Sequence, residues 1–370
     1  MTGTLPAMDV AGRPARLRAR LRDADLPALL VTRLPNVRYL TGFTGSAGQL
    51  LVTDADLLLI TDGRYETQAA EQLAAAGVDA RVAVGLTSAD QHRLLAAALP
   101  TPTRLGLEAH GVTWAEQRTL HDELPDVELL PTDGHVEALR LVKDPGEIAR
   151  IRAACAIADD ALGELLPTLA DGCTEAEFAV ALEHGMRRRG ATAMSFDPIV
   201  AAGPNGAKPH ARPTDRPIGV GELVVVDFGC IVDGYCSDMT RTVSVDDPGP
   251  DRRRLWDLVA ASQRAGRDAV RAGVACADVD RASRAVIDAA GYGDAFKHGT
   301  GHGVGLEIHE APRVARTAPG TLAVGTVVTV EPGVYLPGVG GVRIEDTVVV
   351  TDDGAEPLTE FPKSLVVTPS

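Results

Sequence analysis

Cysteine and aromatic residues are scarce in this 370-residue chain, with five cysteines and an aromatic share of 4%. Cys155, Cys173, Cys230, Cys236 and Cys276 are odd in number and scattered, so they describe no disulfide framework. Cys230 and Cys236 lie close to two aspartates, yet their spacing matches no structural zinc motif. No aliphatic run is long enough to span a bilayer, and Met1 to Pro14 lacks the charged-then-apolar pattern of a secretory leader. A reducing, cytoplasmic setting is therefore expected. Positive charge is also short: 36 Lys and Arg against 51 Asp and Glu leave a net charge of −15. That balance argues against nucleic acid or an anionic membrane as partner. Lysine occurs only at Lys143, Lys208, Lys297 and Lys363, a skew that, with the abundant alanine, reads as genome composition. Nucleotide-binding signatures are missing too, because Gly299, Gly301, Gly303 and Gly305 do not follow G-x-G-x-x-G and no P-loop occurs, and the H-E-x-x-H zinc-protease motif is missing as well.

A hydrophobic share of 45% over this length supports a large core and two domains. Up to about Pro131 helix-like and strand-like segments alternate: a helix over Ala15–Ala24, a strand over Ala28–Thr32, a strand pair from Gln49–Val52 and Leu57–Ile60, and a helix over Tyr65–Ala76. This is the pattern of an α/β domain. Asp144-Pro145-Gly146-Glu147 then opens a helix over Ile148–Leu169, with proline where a helix start favours it. The boundary is expected between residues 134 and 144, giving domains 1–135 and 136–370. Leu255–Ala272 and Val279–Ala290 read as further helices, and no internal repeat appears.

Potential chemistry concentrates in the C-terminal half at Asp227, Asp238, His302, Glu331 and Glu345. Four carboxylates and one imidazole held together would repel and take up protons unless cations compensate them. Glu222 to Val245 reads as a β-hairpin turning at Asp233-Gly234. Val232 then pairs with Tyr235, Gly229 with Asp238 and Asp227 with Thr240, so Asp227 and Asp238 fall diagonally on one face. A solvated hairpin face would explain Asp238, but poorly an aspartate that directly follows Leu223 to Val226. A second strand pair is expected from Thr326–Glu331 and Val342–Val350, separated by Pro332-Gly333 and Gly338 to Gly341. Arg343, Glu345 and Thr347 share one face of it, as they also would on a half-solvated strand. Between these pairs, His298, His302 and His309 stand among alternating glycines, where backbone approaches closely.

These segments together resemble the metallopeptidase family of prolidase and aminopeptidase P. The stretches that carry the resemblance are Phe196 to His210, Val224 to Thr242, His298 to Arg313, Thr329 to Tyr335 and Gly341 to Thr351. Asn36 to Phe43 and Leu59 to Tyr65 resemble the family's N-terminal domain, so nearly the whole chain is covered. The resemblance implies an α/β N-terminal domain, creatinase/prolidase-like, and an α+β "pita-bread" domain in which a curved antiparallel sheet is backed by helices. It implies two divalent ions, with Asp227 bidentate to one, Asp238 and Glu345 bridging, and His302 and Glu331 completing the other. It makes Glu331 the general base, gives His309 the developing oxyanion, and places His210, His298 and Tyr335 in the substrate pocket with Arg343 behind the ligands. One nitrogen and no thiolate favour harder ions, Mn²⁺ first, with Co²⁺, Fe²⁺ or Zn²⁺ able to occupy the site.

The expected reaction is metal-dependent hydrolysis of Xaa-Pro bonds in small proline-containing peptides, by a homodimer. Arg313, four residues after His309, suits the free carboxylate of a dipeptide, which leans the reading to an Xaa-Pro dipeptidase over an Xaa-Pro aminopeptidase acting on longer chains. A metal-free, creatinase-like amidinohydrolase and a non-catalytic peptide-binding module share this architecture. The complete ligand set speaks against both. Methionine aminopeptidase shares the metal logic but lacks the N-terminal domain.

Overall fold

The structure, a computed structural model, describes residues 5–100 and 103–367. The first four residues of the Met1–Pro14 stretch fall outside them. The described residues form two compact units, 8–140 and 141–367, with residues 5–7 belonging to the second.

The N-terminal unit is built on a six-stranded sheet. Its strands lie in the order Arg81–Val84, Leu57–Thr61, Gly48–Thr53, Ala28–Val31, Thr103–Glu108, Val127–Thr132. All are parallel to their neighbours except Gly48–Thr53, which runs antiparallel to both of its own. Ala28–Val31 and Leu57–Thr61 are buried at every position, the continuous apolar run expected of strands covered on both faces. Helices Arg13–Asp23, Leu34–Thr41, Glu66–Ala76, Ser88–Ala98, Trp114–Glu123 and the short Glu137–Arg140 complete the unit. Leu34–Thr41 is a helix that the hydrophobic pattern did not suggest; it ends on Gly42 at φ 74°, where a residue without Cβ is least strained.

The C-terminal unit opens with the Pro145–Leu165 helix, begun by a reciprocal cap between Asp144 and Glu147. Its antiparallel strands form two main ladders. One runs Ile199–Ala202, Leu223–Phe228, Met239–Val245, with Val366–Val367 added in parallel. The other runs Glu310–Val314, Gly301–Gly303, Val327–Val330, Asp346–Val350, Ala355–Pro357. The helices Pro145–Leu165 and Glu175–Arg188 bury Ala154, Leu162, Phe178 and Leu182 against Val224, Val226 and Val243 of the first ladder. Pro250–Ala269 and Cys276–Ala289 lie behind the second, where Cys276 and Val279 meet Val328, Val330 and Val348. This is the α+β architecture expected.

The expected hairpin forms with the register read from its turn. Asp233 and Gly234 both take positive φ, 46° and 82°, Val232 pairs with Tyr235 and Asp227 with Thr240. The second expected pair is two ladders instead of one. Val327–Val330 pairs with Asp346–Val350, while Gly333–Leu336 and Gly340–Arg343 form a hairpin of their own. Ile344 and Glu345 cross between them, and the Glu345 N–H donates to the Thr240 carbonyl at 3.1 Å.

Candidate metal centre

Side-chain alternation delivers the acidic residues to one place. Asp227, followed along its partner strand by Thr240 and diagonally by Asp238, faces away from the Val224/Val226 core. Glu345 sits at the crossing between ladders, with Ile344 packed on the opposite side among Leu255, Val334 and Val342. Asp227, Asp238, His302, Glu331 and Glu345 line a single cavity of about 780 Å³, together with His210, His298, His309, Arg313 and Arg343. Ligand atoms of Asp238, His302 and Glu345 come within 4.8 Å of one another. The half-solvated alternative for the last strand does not hold: Arg343 is 3% and Glu345 2% exposed.

The electrostatics are those of a site short of positive charge. Burial, and then the charges of Glu345, Asp227 and Glu331, push the Asp238 carboxyl well above its usual range. Burial followed by Glu331 and Asp227 does the same to Glu345, and burial drives Glu331 up to about 8 against the opposing pull of Arg343. Asp227 gives one oxygen to the Arg343 guanidinium, while its buried Oδ1 has no partner. His302 Nδ1 lies 3.0 Å from the Gly303 carbonyl, so that nitrogen carries the proton and Nε2 presents its lone pair. That lone pair faces Asp238 at 3.5 Å and Glu331 at 3.6 Å. Because burial holds His302 down to about 4, these contacts are not ion pairs. A neutral nitrogen lone pair against carboxylate oxygens, beside an orphaned carboxylate oxygen, fits divalent cations. Cys230 and Cys236 offer no thiolate, since burial pushes both up to about 12.

Around this cluster, Arg343 donates to Asp227, to Tyr335 Oη at 2.7 Å and to Thr240 Oγ1 at 3.1 Å. Thr240 passes its own proton to Glu345 at 2.7 Å. Tyr335, grouped above with the pocket residues, stands behind the cavity wall at 1% exposure. Its oxygen accepts from Arg343, so its single proton goes to His298 Nε2 at 2.8 Å. His298 Nδ1–H donates to Gly299. Both ring nitrogens are thus engaged, and His298 meets the cavity as a neutral ring, held down to about 4 chiefly by burial. His309 packs on His302 with ring centroids 4.4 Å apart. Arg313 is exposed on the cavity wall.

Three supporting residues escaped the sequence reading. Buried Asp280 accepts from Thr300 N–H and Oγ1 and from Arg284, while Arg284 also donates to the carbonyls of Phe296 and His298. Glu331 N–H in turn donates to Thr300 O at 2.7 Å. The pair therefore fixes the backbone that presents His298, His302 and Glu331. Lys143, with its side chain 1% exposed, pairs with Glu310 at 3.2 Å beside His309. The Asp-Arg pair was visible only as an i,i+4 spacing, and Lys143 only as a rare lysine.

Residues 149–352 match metallopeptidase family M24, and residues 13–142 match the creatinase/prolidase N-terminal domain. A Bacillus subtilis protein described as uncharacterized peptidase YqhT is 38% identical over 95% of this chain and 99% of its own. The structure of an Xaa-Pro dipeptidase from Bacillus anthracis is 38% identical and covers 96% of this chain and 99% of its own, with a TM-score of 0.91. An X-Pro aminopeptidase from Thermotoga maritima is 34% identical, covers 96% and 99%, and has a TM-score of 0.86. With the match spanning both units, the chain belongs to metallopeptidase family M24 and carries a creatinase/prolidase N-terminal domain.

Proposed function

We propose that this protein hydrolyses Xaa-Pro peptide bonds and prefers Xaa-Pro dipeptides. The observation that carries the preference is Arg313. Its guanidinium lies on the wall of the cavity that holds the acidic cluster, and no hydrogen bond or ion pair engages it among the described residues. A fork of unengaged donors suits the free carboxylate of a bound dipeptide. Relatives described as Xaa-Pro dipeptidases support the bond specificity.

Asp227, Asp238, His302, Glu331 and Glu345 are the residues that would hold two divalent ions, Mn²⁺ foremost. Such ions, when bound, supply an acidified water and a positive charge against the scissile carbonyl oxygen. Glu331 accepts the water's proton on its carboxylate and returns it to the proline nitrogen, which has no hydrogen of its own and must gain one to leave. His309 donates to the carbonyl oxygen as negative charge develops there. His298, its nitrogens already engaged, contributes a ring surface for the pyrrolidine. Arg343 holds the Asp227 carboxylate in orientation through its guanidinium.

The test is turnover of Ala-Pro and Ala-Pro-Ala side by side, with chelator-stripped protein and after Mn²⁺ is restored. Mn²⁺-dependent cleavage confined to Ala-Pro supports the dipeptidase reading, and Arg313→Ala should then raise KM for Ala-Pro about tenfold or more. Equal cleavage of the tripeptide makes the enzyme an Xaa-Pro aminopeptidase. Cleavage of neither, or full activity without a metal, sinks the proposal.

A further inference from the structure

Glu175, first residue of the Glu175–Arg188 helix, is a fully buried carboxylate outside the cavity wall and outside the chemistry above. Its Oε1 accepts the Ala202 N–H at 2.7 Å. Its Oε2 accepts from Asn205 Nδ2 at 2.8 Å, Thr214 N–H at 2.9 Å and Thr214 Oγ1 at 2.7 Å. The first helical turn is a favourable place for a negative charge, and the Arg216 guanidinium lies near enough to feel it. Backbone bonds reinforce the grip, from Ala176 N–H to Thr214 O at 3.0 Å and from Glu175 N–H to Arg216 O at 3.2 Å.

Ala202 and Thr214 are the two ends of one loop, so a single side chain ties both ends and, through Asn205, its interior. The same Asn205 amide donates to Arg212 O at 3.1 Å. That loop carries His210, which lines the cavity. The His210 imidazole is exposed, and no hydrogen bond holds it among the described residues. Its position is therefore set by its backbone, which Arg343 also grips through Pro209 O at 3.2 Å. Closing both loop ends on one acceptor removes the freedom that would let the ring wander.

We propose that Glu175 is a positioning residue for His210: it closes the loop between Ala202 and Thr214 and so holds that imidazole on the wall of the cavity without touching substrate. The inference rests on the peptidase reading of the cavity. Glu175→Gln keeps the shape but turns an N–H₂ toward groups that are themselves donors, which breaks the grip.

The experiment compares wild type, Glu175→Gln, His210→Ala and the double variant in Mn²⁺-dependent turnover of Ala-Pro, with bound Mn²⁺ counted by elemental analysis and histidine ring signals followed by NMR. Glu175→Gln should lower kcat/KM about tenfold or more and keep the wild-type Mn²⁺ content. In the His210→Ala background the same change should add less than about twofold, because the ring it positions is gone. Equal losses in both backgrounds, or a lost ion in Glu175→Gln, overturn the proposal. The ring signal that vanishes in His210→Ala should shift or broaden in Glu175→Gln, while that of His110 stays in place; an unmoved His210 signal also overturns it. Should Glu175→Gln fail to fold, Thr214→Val removes one of the four bonds and should show the same coupling at smaller size, with Thr214→Ser restoring activity; unchanged kinetics in Thr214→Val refute the role. The NMR signal needs no turnover, so wild type inactive on Ala-Pro would defeat the peptidase reading while the ring signal alone still decides on Glu175.

Discussion

Glu331 and His298 show how burial assigns roles to single side chains. Glu331, driven up to about 8 by burial with Arg343 opposing, is the carboxylate proposed above as the proton acceptor. Replacing it by glutamine preserves shape and an oxygen ligand but removes the proton acceptor. We expect Glu331→Gln to bind Mn²⁺ at close to the wild-type level and to lose roughly 100- to 10,000-fold in kcat; undiminished turnover would end its assignment as base. His298 bears instead on stability. Its ring is held down to about 4 from an ordinary 6.5, so the unfolded chain takes up the proton before the folded one does. The stability this imidazole contributes is complete above pH 6.5 and drains away as pH falls toward 4. Between pH 7 and pH 4.5 the wild type should lose roughly 2–3 kcal/mol more than His298→Asn in urea unfolding. Parallel losses would show that the ring protonates as freely folded as unfolded. That Asp227, Asp238, His302, Glu331 and Glu345 belong together was legible because each stands in its own short motif. Glu175, Asp280 and Lys143 were not, because a charged residue on a helix or linker reads as solvated until the fold supplies its partners.

At the scale of elements, register is what brings the acidic residues together. The Asp233-Gly234 turn fixes the pairing of Asp227 with Thr240, and a two-residue turn with positive φ at both positions leaves no freedom to slip. That part of the site could be read from the sequence. The split of the second strand pair could not, since the alternation of Val342, Arg343, Ile344 and Glu345 runs unbroken through the point where the chain leaves one ladder for the next. Only the bonds of Ile344 N–H to Pro332 O and Glu345 N–H to Thr240 O reveal the crossing. Close approach is a second element-level constraint. A Cβ on Gly301 would lie 1.9 Å from the Thr329 carbonyl oxygen, a backbone atom held in the strand next to Glu331. Gly301→Ala must therefore push the His302 strand off its neighbour. We expect a loss of about 2–4 kcal/mol in unfolding free energy and, at temperatures where the variant stays folded, reduced Mn²⁺ occupancy. A variant with wild-type melting and full metal content would mean the two strands separate without consequence.

The whole molecule couples a large, well-packed scaffold to a deliberately unbalanced centre. Composition and hydrophobic patterning were enough to anticipate two domains and the α/β character of the first, because buried parallel strands such as Ala28–Val31 declare themselves as apolar runs. Arg212, Arg313 and Arg343 all line the cavity, yet among the described residues Arg343 is the one guanidinium that reaches a carboxylate of the acidic cluster. The C-terminal unit thus folds around carboxyls that burial and mutual repulsion push upward, a strain that cations relieve and chelation restores. A cation bound only by the folded state adds about 2.7 kcal/mol when present at a hundred times its Kd. For a unit of this size that amounts to a melting shift of roughly 5–10 °C. Calorimetry of chelated protein, and of the same protein with Mn²⁺ or Mg²⁺ added back, should show the higher melting temperature with Mn²⁺ and a smaller shift with Mg²⁺, which dehydrates reluctantly and suits a cluster with a nitrogen ligand less well. Asp238→Ala should abolish most of the Mn²⁺ shift, because it removes one of the three groups already close enough to share an ion. Identical melting with and without cations would mean that the acidic cluster tolerates its own repulsion and that cations contribute nothing to the fold.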